Sequence, residues 1–178
     1  MKIIKFIIFI LFIYICYQVS KTYIPPDDVV EKAHEYSEKY GVDEALVLAI
    51  INTESKFDQY AVSSAGARGY MQLMETTSDW GAKIIGLEDY SYDNIFDIDV
   101  NIELGCWYIS NLIEQFDDLD TAIAAYNAGS GNVSKWLIEQ NSDVIIADEI
   151  PFGETKGYLK KVKLKTKIYD VYLKIIGD

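Results

Sequence analysis

Apolar residues recur along most of the chain at the three- and four-residue spacing of one face of an α-helix. Capping residues precede several of these segments and glycines follow them, which marks the helix ends. The alternation typical of β-strands is weak, and the sequence contains no internal repeat. The pattern therefore predicts an all-α fold, with room for a minor hairpin in the loops. The predicted helices span residues 29–40, 43–56, 76–85, 99–116, 119–127, 133–140 and 155–176.

The segment 43–56 combines the pattern of a buried helix with a carboxylate near its end. Asp43 is placed to cap the N-terminus, and apolar residues cover most of the helix surface. Glu54 falls on the same face as Leu46 and Ile50. If this face is buried, desolvation raises the pKa of Glu54 and keeps its proton near neutral pH, as a general acid requires. Spacing alone leaves open the alternative that Glu54 lies at the end of the helix with its carboxyl in water.

The N-terminal segment, residues 1–22, has the pattern of a membrane signal-anchor. Lys2 and Lys5 precede an apolar run, and no clear small-residue cleavage site follows it. Lysines at the start place the N-terminus inside the cell and the rest of the chain outside. We therefore predict a single-pass membrane anchor; a cleaved signal that leaves a secreted domain is the alternative. A linker with the first helix then occupies residues 23–42, and the main domain occupies residues 43–178.

Charge and composition exclude several classes of function. The net charge of −12 argues against a nucleic-acid partner, because a phosphate backbone requires a basic surface. The presence of a single histidine, His34, argues against a histidine-based metal site or a catalytic triad, and we expect it at the surface. Cys16 and Cys106 lie in unrelated segments without metal-ligand spacing. We therefore expect no disulfide between them, no metal and no other cofactor.

The stretch that follows Glu54 is rich in glycine, alanine and serine, which permit a tight path back toward the carboxyl. Its distinctive residues are Glu54, Ser55, Phe57, Ser63, Gly66, Ala67, Arg68, Gly69, Met71, Gln72 and Met74. A later stretch comprises Ala125, Tyr126, Asn127, Ala128 and Gly129. In this order the two stretches resemble the two sequence blocks of the soluble lytic transglycosylase family, lysozyme-like enzymes that cut peptidoglycan, and the resemblance covers about residues 29–174.

The resemblance implies a lysozyme-like helical catalytic domain and a single-carboxylate mechanism, whereas most glycosidases pair two carboxylates. Glu54 would protonate the oxygen between N-acetylmuramic acid (MurNAc) and N-acetylglucosamine (GlcNAc). It would then accept the C6 hydroxyl proton while a 1,6-anhydro ring closes. We expect a monomer that acts on glycan strands of peptidoglycan, with its catalytic domain facing the cell wall. The implied substrate-binding residues are Ser63, Gln72, Met74, Tyr126, Asn127, Glu154 and Tyr158.

Two other functions remain open for the same residues. A lysozyme-type hydrolase would use Glu54 with water as acceptor, and the sequence barely separates the two enzymes because the acceptor depends on whether water is excluded. A non-catalytic protein that binds cell-wall glycan could also retain the fold. The joint presence of four family-matched polar residues argues against that function: Glu54, Ser63, Gln72 and Tyr126.

Overall fold

The structure of the protein, a computed structural model, describes residues 2–177, and in the first helix it describes the side chains of residues 4–14, 17, 22 and 23. Within these residues the fold is all-α, as predicted, with two short 3₁₀ helices at Tyr92–Phe96 and Ala147–Glu149. The α-helices are α1 (Lys2–Tyr23), α2 (Asp27–Tyr40), α3 (Glu44–Glu54), α4 (Glu75–Ile85), α5 (Ile98–Phe116), α6 (Leu119–Ala128), α7 (Ser130–Gln140) and α8 (Gly153–Ile176).

The predicted helices after the N-terminal segment are confirmed, with two notable shifts at their ends. Helix α3 ends at Glu54 because Lys56 and Phe57 adopt left-handed backbone conformations, with φ of 55° and 67°. Helix α7 begins at Ser130, before its predicted start. Its first turn has no apolar residue to mark it, but backbone amides of that turn donate to the carbonyl oxygen of Gly129.

Helix α3 lies at the centre of the fold and is buried on almost every side. Asp43 caps it as predicted, because Oδ1 of Asp43 accepts a 2.9 Å hydrogen bond from the backbone amide of Leu46. Residues 45–52 are all buried, and the helix packs most closely against α8. Each large apolar side chain in this core contributes roughly 1.5–3 kcal/mol when fully buried. The core therefore fixes the position of Glu54 in the last turn of α3.

The loop between α3 and α4 is held by one buried asparagine of α5. Asn101 Oδ1 accepts a 2.8 Å hydrogen bond from the amide of Met71, and its Nδ2 donates to the carbonyl of Arg68 at 3.1 Å. Gly69 has a φ of +79°, and a Cβ there would collide with the Asn101 amide, so only glycine fits. Two isolated antiparallel bridges within this loop correspond to the minor hairpin that the sequence allowed.

The first helix lies outside the hydrophobic core. Its described side chains at residues 4–14 are exposed. Its end contacts the domain, because Asn52 Nδ2 donates to the carbonyl of Thr22 and the Tyr169 hydroxyl donates to the carbonyl of Tyr23 at 3.1 Å. A bilayer span needs about 20 predominantly apolar residues. Among the described residues no helix is long and apolar enough to cross a membrane, so the predicted membrane-spanning helix is not found there.

Candidate active site

Glu54 ends α3 with its carboxyl partly buried. Burial is the largest influence and raises the pKa of Glu54 from 4.5 to about 7. A hydrogen bond from Tyr158 and the charge of Lys165 lower the pKa, whereas the charge of Glu154 raises it. The carboxyl therefore keeps its proton close to neutral pH. Of the two alternatives left open by the sequence, the structure favours the buried carboxyl over the solvated helix tip.

Tyr158 makes a direct hydrogen bond to this carboxyl. Its hydroxyl, near the start of α8, donates to Oε1 of Glu54 at 2.6 Å. The side chain is buried, and burial raises the pKa of the Tyr158 hydroxyl well above 10, so that it remains a neutral donor. A hydroxyl donor favours the ionised carboxylate, whereas burial favours the acid. Because these two influences oppose each other and the pKa of Glu54 is about 7, both protonation states of Glu54 are accessible near neutral pH.

Tyr126 connects the surroundings of Glu54 with the loop before α4. Its hydroxyl donates a 2.9 Å hydrogen bond to the carbonyl of Met71. Burial, followed by the nearby charge of Glu54, raises the pKa of the Tyr126 hydroxyl well above 10. Its ring centroid lies 5.3 Å from that of Tyr108 on α5. Tyr126 is therefore a neutral side chain that is fixed between the carboxyl and α5.

A cleft of about 260 Å³ lies between the start of α4, helix α5 and the end of α6. Four of the predicted substrate-binding residues line it, and one of them, Tyr126, also lies near Glu54. Tyr108, a further lining residue, was missed because nothing in the helical pattern of α5 distinguishes it from core residues. The lining residues are Gln72, Leu73, Met74, Thr77, Tyr108, Tyr126, Asn127, Ala128 and Gly129.

Gln72 and Ser63 make their described hydrogen bonds within the loop. Gln72 has a left-handed backbone with φ of 49°, and its Nε2 donates to the carbonyls of Ala61 and Gly69, both at 3.0 Å. The Ser63 hydroxyl accepts a 3.0 Å hydrogen bond from the amide of Ala67. Among the described side chains, the hydrogen bond to the Glu54 carboxyl comes from Tyr158 and not from Ser63. The predicted sugar contacts of both residues therefore remain predictions.

Asn127 and Glu154 lie where the end of α6 meets the start of α8. Asn127 Oδ1 accepts a 2.8 Å hydrogen bond from the Thr155 hydroxyl and also lines the cleft. Glu154 is exposed, and its charge acts on Glu54. The structure thus brings Tyr126, Glu154 and Tyr158 around the carboxyl, and it brings Gln72, Met74, Tyr126 and Asn127 together in the cleft.

Lys165 is a charged residue near the carboxyl that sequence reasoning missed. Its Nζ donates a 3.0 Å hydrogen bond to the carbonyl of Asn52, at the C-terminal end of α3. Burial, followed by the charges of Lys161 and Lys56, lowers the pKa of Lys165 to about 8, and the charge of Glu54 acts in the opposite direction. A signal was present in the sequence, because Lys165 falls seven residues after Tyr158 and therefore on the same face of α8.

Comparison with known proteins gives a family match. Residues 31–147 match the model of the transglycosylase SLT domain. The soluble lytic murein transglycosylase of Escherichia coli (strain K12) is 32% identical over 149 residues, which cover 80% of this chain and 22% of that protein. The membrane-bound lytic murein transglycosylase C of Klebsiella pneumoniae is 34% identical over 182 residues, which cover 81% of this chain and 49% of that protein.

Solved structures of similar proteins share the fold. An inactive mutant of the lytic transglycosylase Slt from Pseudomonas aeruginosa superposes with a TM-score of 0.74 and 32% identity, over 81% of this chain and 24% of that one. A complex of the 70-kDa soluble lytic transglycosylase with bulgecin A gives a TM-score of 0.75 and 30% identity, over 80% and 24% of the two chains. The chain spans between about a fifth and a half of the length of these relatives. By the extent of the family match, the chain belongs to the transglycosylase family defined by the SLT domain.

Proposed function

We propose that this protein is a peptidoglycan lytic transglycosylase, which cleaves the β-1,4 bond between MurNAc and GlcNAc and leaves a 1,6-anhydro-MurNAc end. The observation that carries the proposal is the Glu54 carboxyl, which has a pKa of about 7 and accepts a hydrogen bond from Tyr158. Tyr126 links that carboxyl to a cleft. A general acid that titrates near the working pH suits protonation of a glycosidic oxygen.

In the first step, protonated Glu54 gives its proton to the glycosidic oxygen as the bond from that oxygen to the anomeric carbon of MurNAc breaks. The leaving GlcNAc departs with a hydroxyl, and the N-acetyl group of MurNAc stabilises the positive charge at the anomeric carbon. Glu54 becomes a carboxylate in a partly buried site. The hydrogen bond from Tyr158 stabilises that carboxylate, because hydrogen bonds to charged groups are stronger than those to neutral ones.

In the second step, the C6 hydroxyl of the same MurNAc attacks the anomeric carbon and the 1,6-anhydro ring closes. The Glu54 carboxylate takes the hydroxyl proton and returns to its acid form, so the proton balance of the cycle is zero. A hydroxyl on the same ring has an effective concentration on the order of 10⁵ M or more when it is well oriented. Bulk water at about 55 M does not match that value if the site holds the ring correctly.

A second candidate function follows from Glu154. Its exposed carboxylate is close enough for its charge to raise the pKa of Glu54. Glycosidases that pair an acid with a base use the second carboxylate to activate water. If Glu154 activates water in this way, the protein is a lysozyme-type hydrolase with the same general acid.

The ends of the released fragments distinguish the two functions. The full chain is incubated with purified peptidoglycan, and the fragments are analysed by mass spectrometry before and after borohydride reduction. A lytic transglycosylase gives ends that are one water lighter and resist reduction. Glu54→Gln serves as the negative control for contaminating activity. Predominantly reducible, fully hydrated ends would assign the protein to the hydrolases instead.

We also infer that α1 holds the catalytic domain at the cell membrane, facing the cell wall. The support is a set of large exposed apolar side chains between Ile4 and Tyr14. An apolar surface of this kind is unfavourable in water and suits lipid. Secretion after cleavage of this segment is the alternative. Cell fractionation followed by N-terminal sequencing tests the inference, since soluble protein that begins near residues 20–22 would show a cleaved signal.

A further inference from the structure

Trp80 on α4 is the exposed member of the three tryptophans of this chain. It retains 44% of its accessible surface, whereas Trp107 retains 8% and Trp136 retains 6%. A tryptophan that is exposed on a fixed helix leaves a large flat apolar face in contact with water. Such faces commonly mark binding sites when they lie beside other apolar side chains.

The position of the Trp80 ring is built into the packing of α4 against α5. The two rings of Trp80 and Trp107 meet edge to face, with centroids 4.7 Å apart and planes at 74°. Gly81 makes this packing possible, because a Cβ at that position would collide with the Trp107 ring. Packing against the Trp107 ring therefore fixes the orientation of the Trp80 ring before any ligand binds.

Trp80 lies on the same helix as the α4 end of the cleft, although it is not itself one of the residues that line it. Met74 and Thr77 line the cleft at the start of α4, and Trp80 follows Thr77 by about one helical turn. Met74 is itself 42% exposed. Met74, as the N-cap of α4, and Trp80, in its second turn, are thus two exposed apolar side chains on the same element.

A second connection runs through α5. Tyr108, the neighbour of Trp107 in the chain, lines the cleft, and its ring lies 5.3 Å from the ring of Tyr126. Trp107 and Tyr108 have ring centroids 6.4 Å apart. An unbroken row of aromatic rings therefore leads from Tyr126, next to the general acid, to Trp80 at the surface.

We propose that Trp80 forms a further sugar-binding subsite, which extends the cleft along α4 and stacks on a pyranose ring of the bound glycan strand. The proposal rests on the proposed function for the identity of the ligand, a β-1,4-linked amino-sugar polymer. The ring faces of such a sugar carry mostly C–H groups while its hydroxyls point outward, so one face packs on an indole and the polar rim stays in water. The subsite lengthens the glycan segment that the protein holds.

Binding without cleavage provides the test. The full chain carrying Glu54→Gln is titrated with GlcNAc oligomers of increasing length while tryptophan fluorescence is recorded. We expect oligomers long enough to reach Trp80 to shift the emission to shorter wavelength, because a sugar on its ring removes it from water. Adding Trp80→Phe should abolish that shift while retaining most of the affinity.

Calorimetry on the same background separates the contribution of the ring from the optical signal. Trp80→Ala should weaken binding of the long oligomers by about fivefold to tenfold and leave that of the shortest binding oligomer unchanged. Trp80→Phe should lose less affinity than Trp80→Ala. Ile84→Ala, which removes an exposed apolar side chain farther along α4, is the matched control and should bind every oligomer as the parent does.

The subsite would be overturned by a wavelength shift that persists in the Trp80→Phe variant, or by equal affinity of the Trp80→Ala variant and the parent for long oligomers. Loss of affinity that is the same for short and long oligomers would also overturn it, because that result indicates a distorted cleft. Failure of the proposed function is distinguishable from these results. In that case the chain without the Glu54 substitution leaves peptidoglycan uncut or releases reducible, fully hydrated ends, whatever the binding data show.

Discussion

Tyr158 and Glu54 lie 104 residues apart in the sequence, and a 2.6 Å hydrogen bond joins the tyrosine hydroxyl to the glutamate Oε1. The contact exists because α8 packs along α3 with one face, on which Tyr158 and Lys165 both lie. The same helix pair thus supplies the burial that raises the pKa of Glu54 and the polar groups that lower it.

The first prediction concerns the acid itself. Glu54→Gln keeps the shape of the side chain but cannot deliver a proton, so glycan cleavage should fall by at least about 10²–10⁴-fold. A larger loss is expected if one group acts as acid and then as base. Release of soluble fragments from peptidoglycan measures the rate, and circular dichroism verifies that the helical fold survives.

The control for this variant is Glu75→Gln. Glu75 is an exposed carboxylate in the first turn of α4, and it directly follows Met74, which lines the cleft. Its replacement should leave the cleavage rate close to that of the parent. A Glu54→Gln chain that cleared peptidoglycan at the parental rate would remove Glu54 from the mechanism.

The same substitution should stabilise the fold at neutral and alkaline pH. The unfolded chain releases the Glu54 proton near pH 4.5 and the folded chain near pH 7. Between these values the folded state binds more protons, so ionisation of Glu54 makes the fold less stable as pH rises through this window. The pKa difference sets an upper bound of about 3 kcal/mol on the effect. Glutamine has no such ionisation.

Thermal unfolding between pH 4 and pH 8.5 measures this effect. The melting temperature of Glu54→Gln relative to the parent should increase between pH 4.5 and 7 and then level off. A difference that does not change across this range would mean that Glu54 is not held protonated by burial. Glu54→Gln also loses the charge-assisted hydrogen bond from Tyr158, which lowers the stability of the variant. The test therefore rests on how the difference in melting temperature changes with pH and not on its absolute value.

The sequence predicted the helical fold well because most helices show apolar residues at three- and four-residue spacing and α3 is apolar over most of its surface. Residues 45–52 of α3 are buried on all sides, and Asp43 caps the helix with the hydrogen bond expected from its type and position. The first turn of α7 escaped prediction because Ser130, Gly131 and Asn132 carry no apolar signal. Left-handed residues at the end of α3 were equally hidden, since φ above zero at Lys56 and Phe57 reflects tertiary packing and not local preference.

Features of the site that depend on the local helix pattern were predictable from the sequence. Features that depend on contacts between distant residues were less so. The apolar face of α3 made burial of the Glu54 carboxyl one of two alternatives, and the structure favours burial. The hydrogen-bond partners of Gln72 and Ser63 did not follow, because loop backbone atoms and ligands compete for the same side-chain groups. Lys165 was missed since a lysine in a run of lysines suggests a solvated face, and only the packing of α8 on α3 makes it partly buried.

The hydrogen bond between Tyr158 and Glu54 leads to the next prediction. Tyr158→Phe removes the donor and leaves the ring, so the pKa of Glu54 should rise further and the carboxylate formed in the first step should lose its stabilisation. We expect kcat/KM to fall about tenfold or more, since bonds to charged groups contribute roughly 1.5–3 kcal/mol. The alkaline limb of the pH–rate profile should move to higher pH. An unchanged profile would show that the bond is absent in the working enzyme.

Lys165 provides the last prediction, because it acts on Glu54 through its charge. Its ammonium is anchored at the C-terminal end of α3 by the 3.0 Å hydrogen bond to the carbonyl of Asn52, and its charge lowers the pKa of Glu54. Lys56 and Lys161 also carry positive charge near it, and they disfavour its ionisation without replacing its hydrogen bond. With its pKa lowered to about 8, Lys165 is charged at the pH where Glu54 titrates.

Two substitutions separate the charge of Lys165 from its hydrogen bond. Lys165→Gln keeps a donor for the Asn52 carbonyl but removes the charge, so the alkaline limb of kcat/KM should move up by as much as about one pH unit. Lys165→Arg keeps the charge and should leave the limb where it is. Lys160→Gln, on an exposed position of α8, controls for the loss of a positive charge as such. If Lys165→Gln and Lys165→Arg shift the limb equally, Lys165 acts through packing, and its charge has no part in setting the pKa of the general acid.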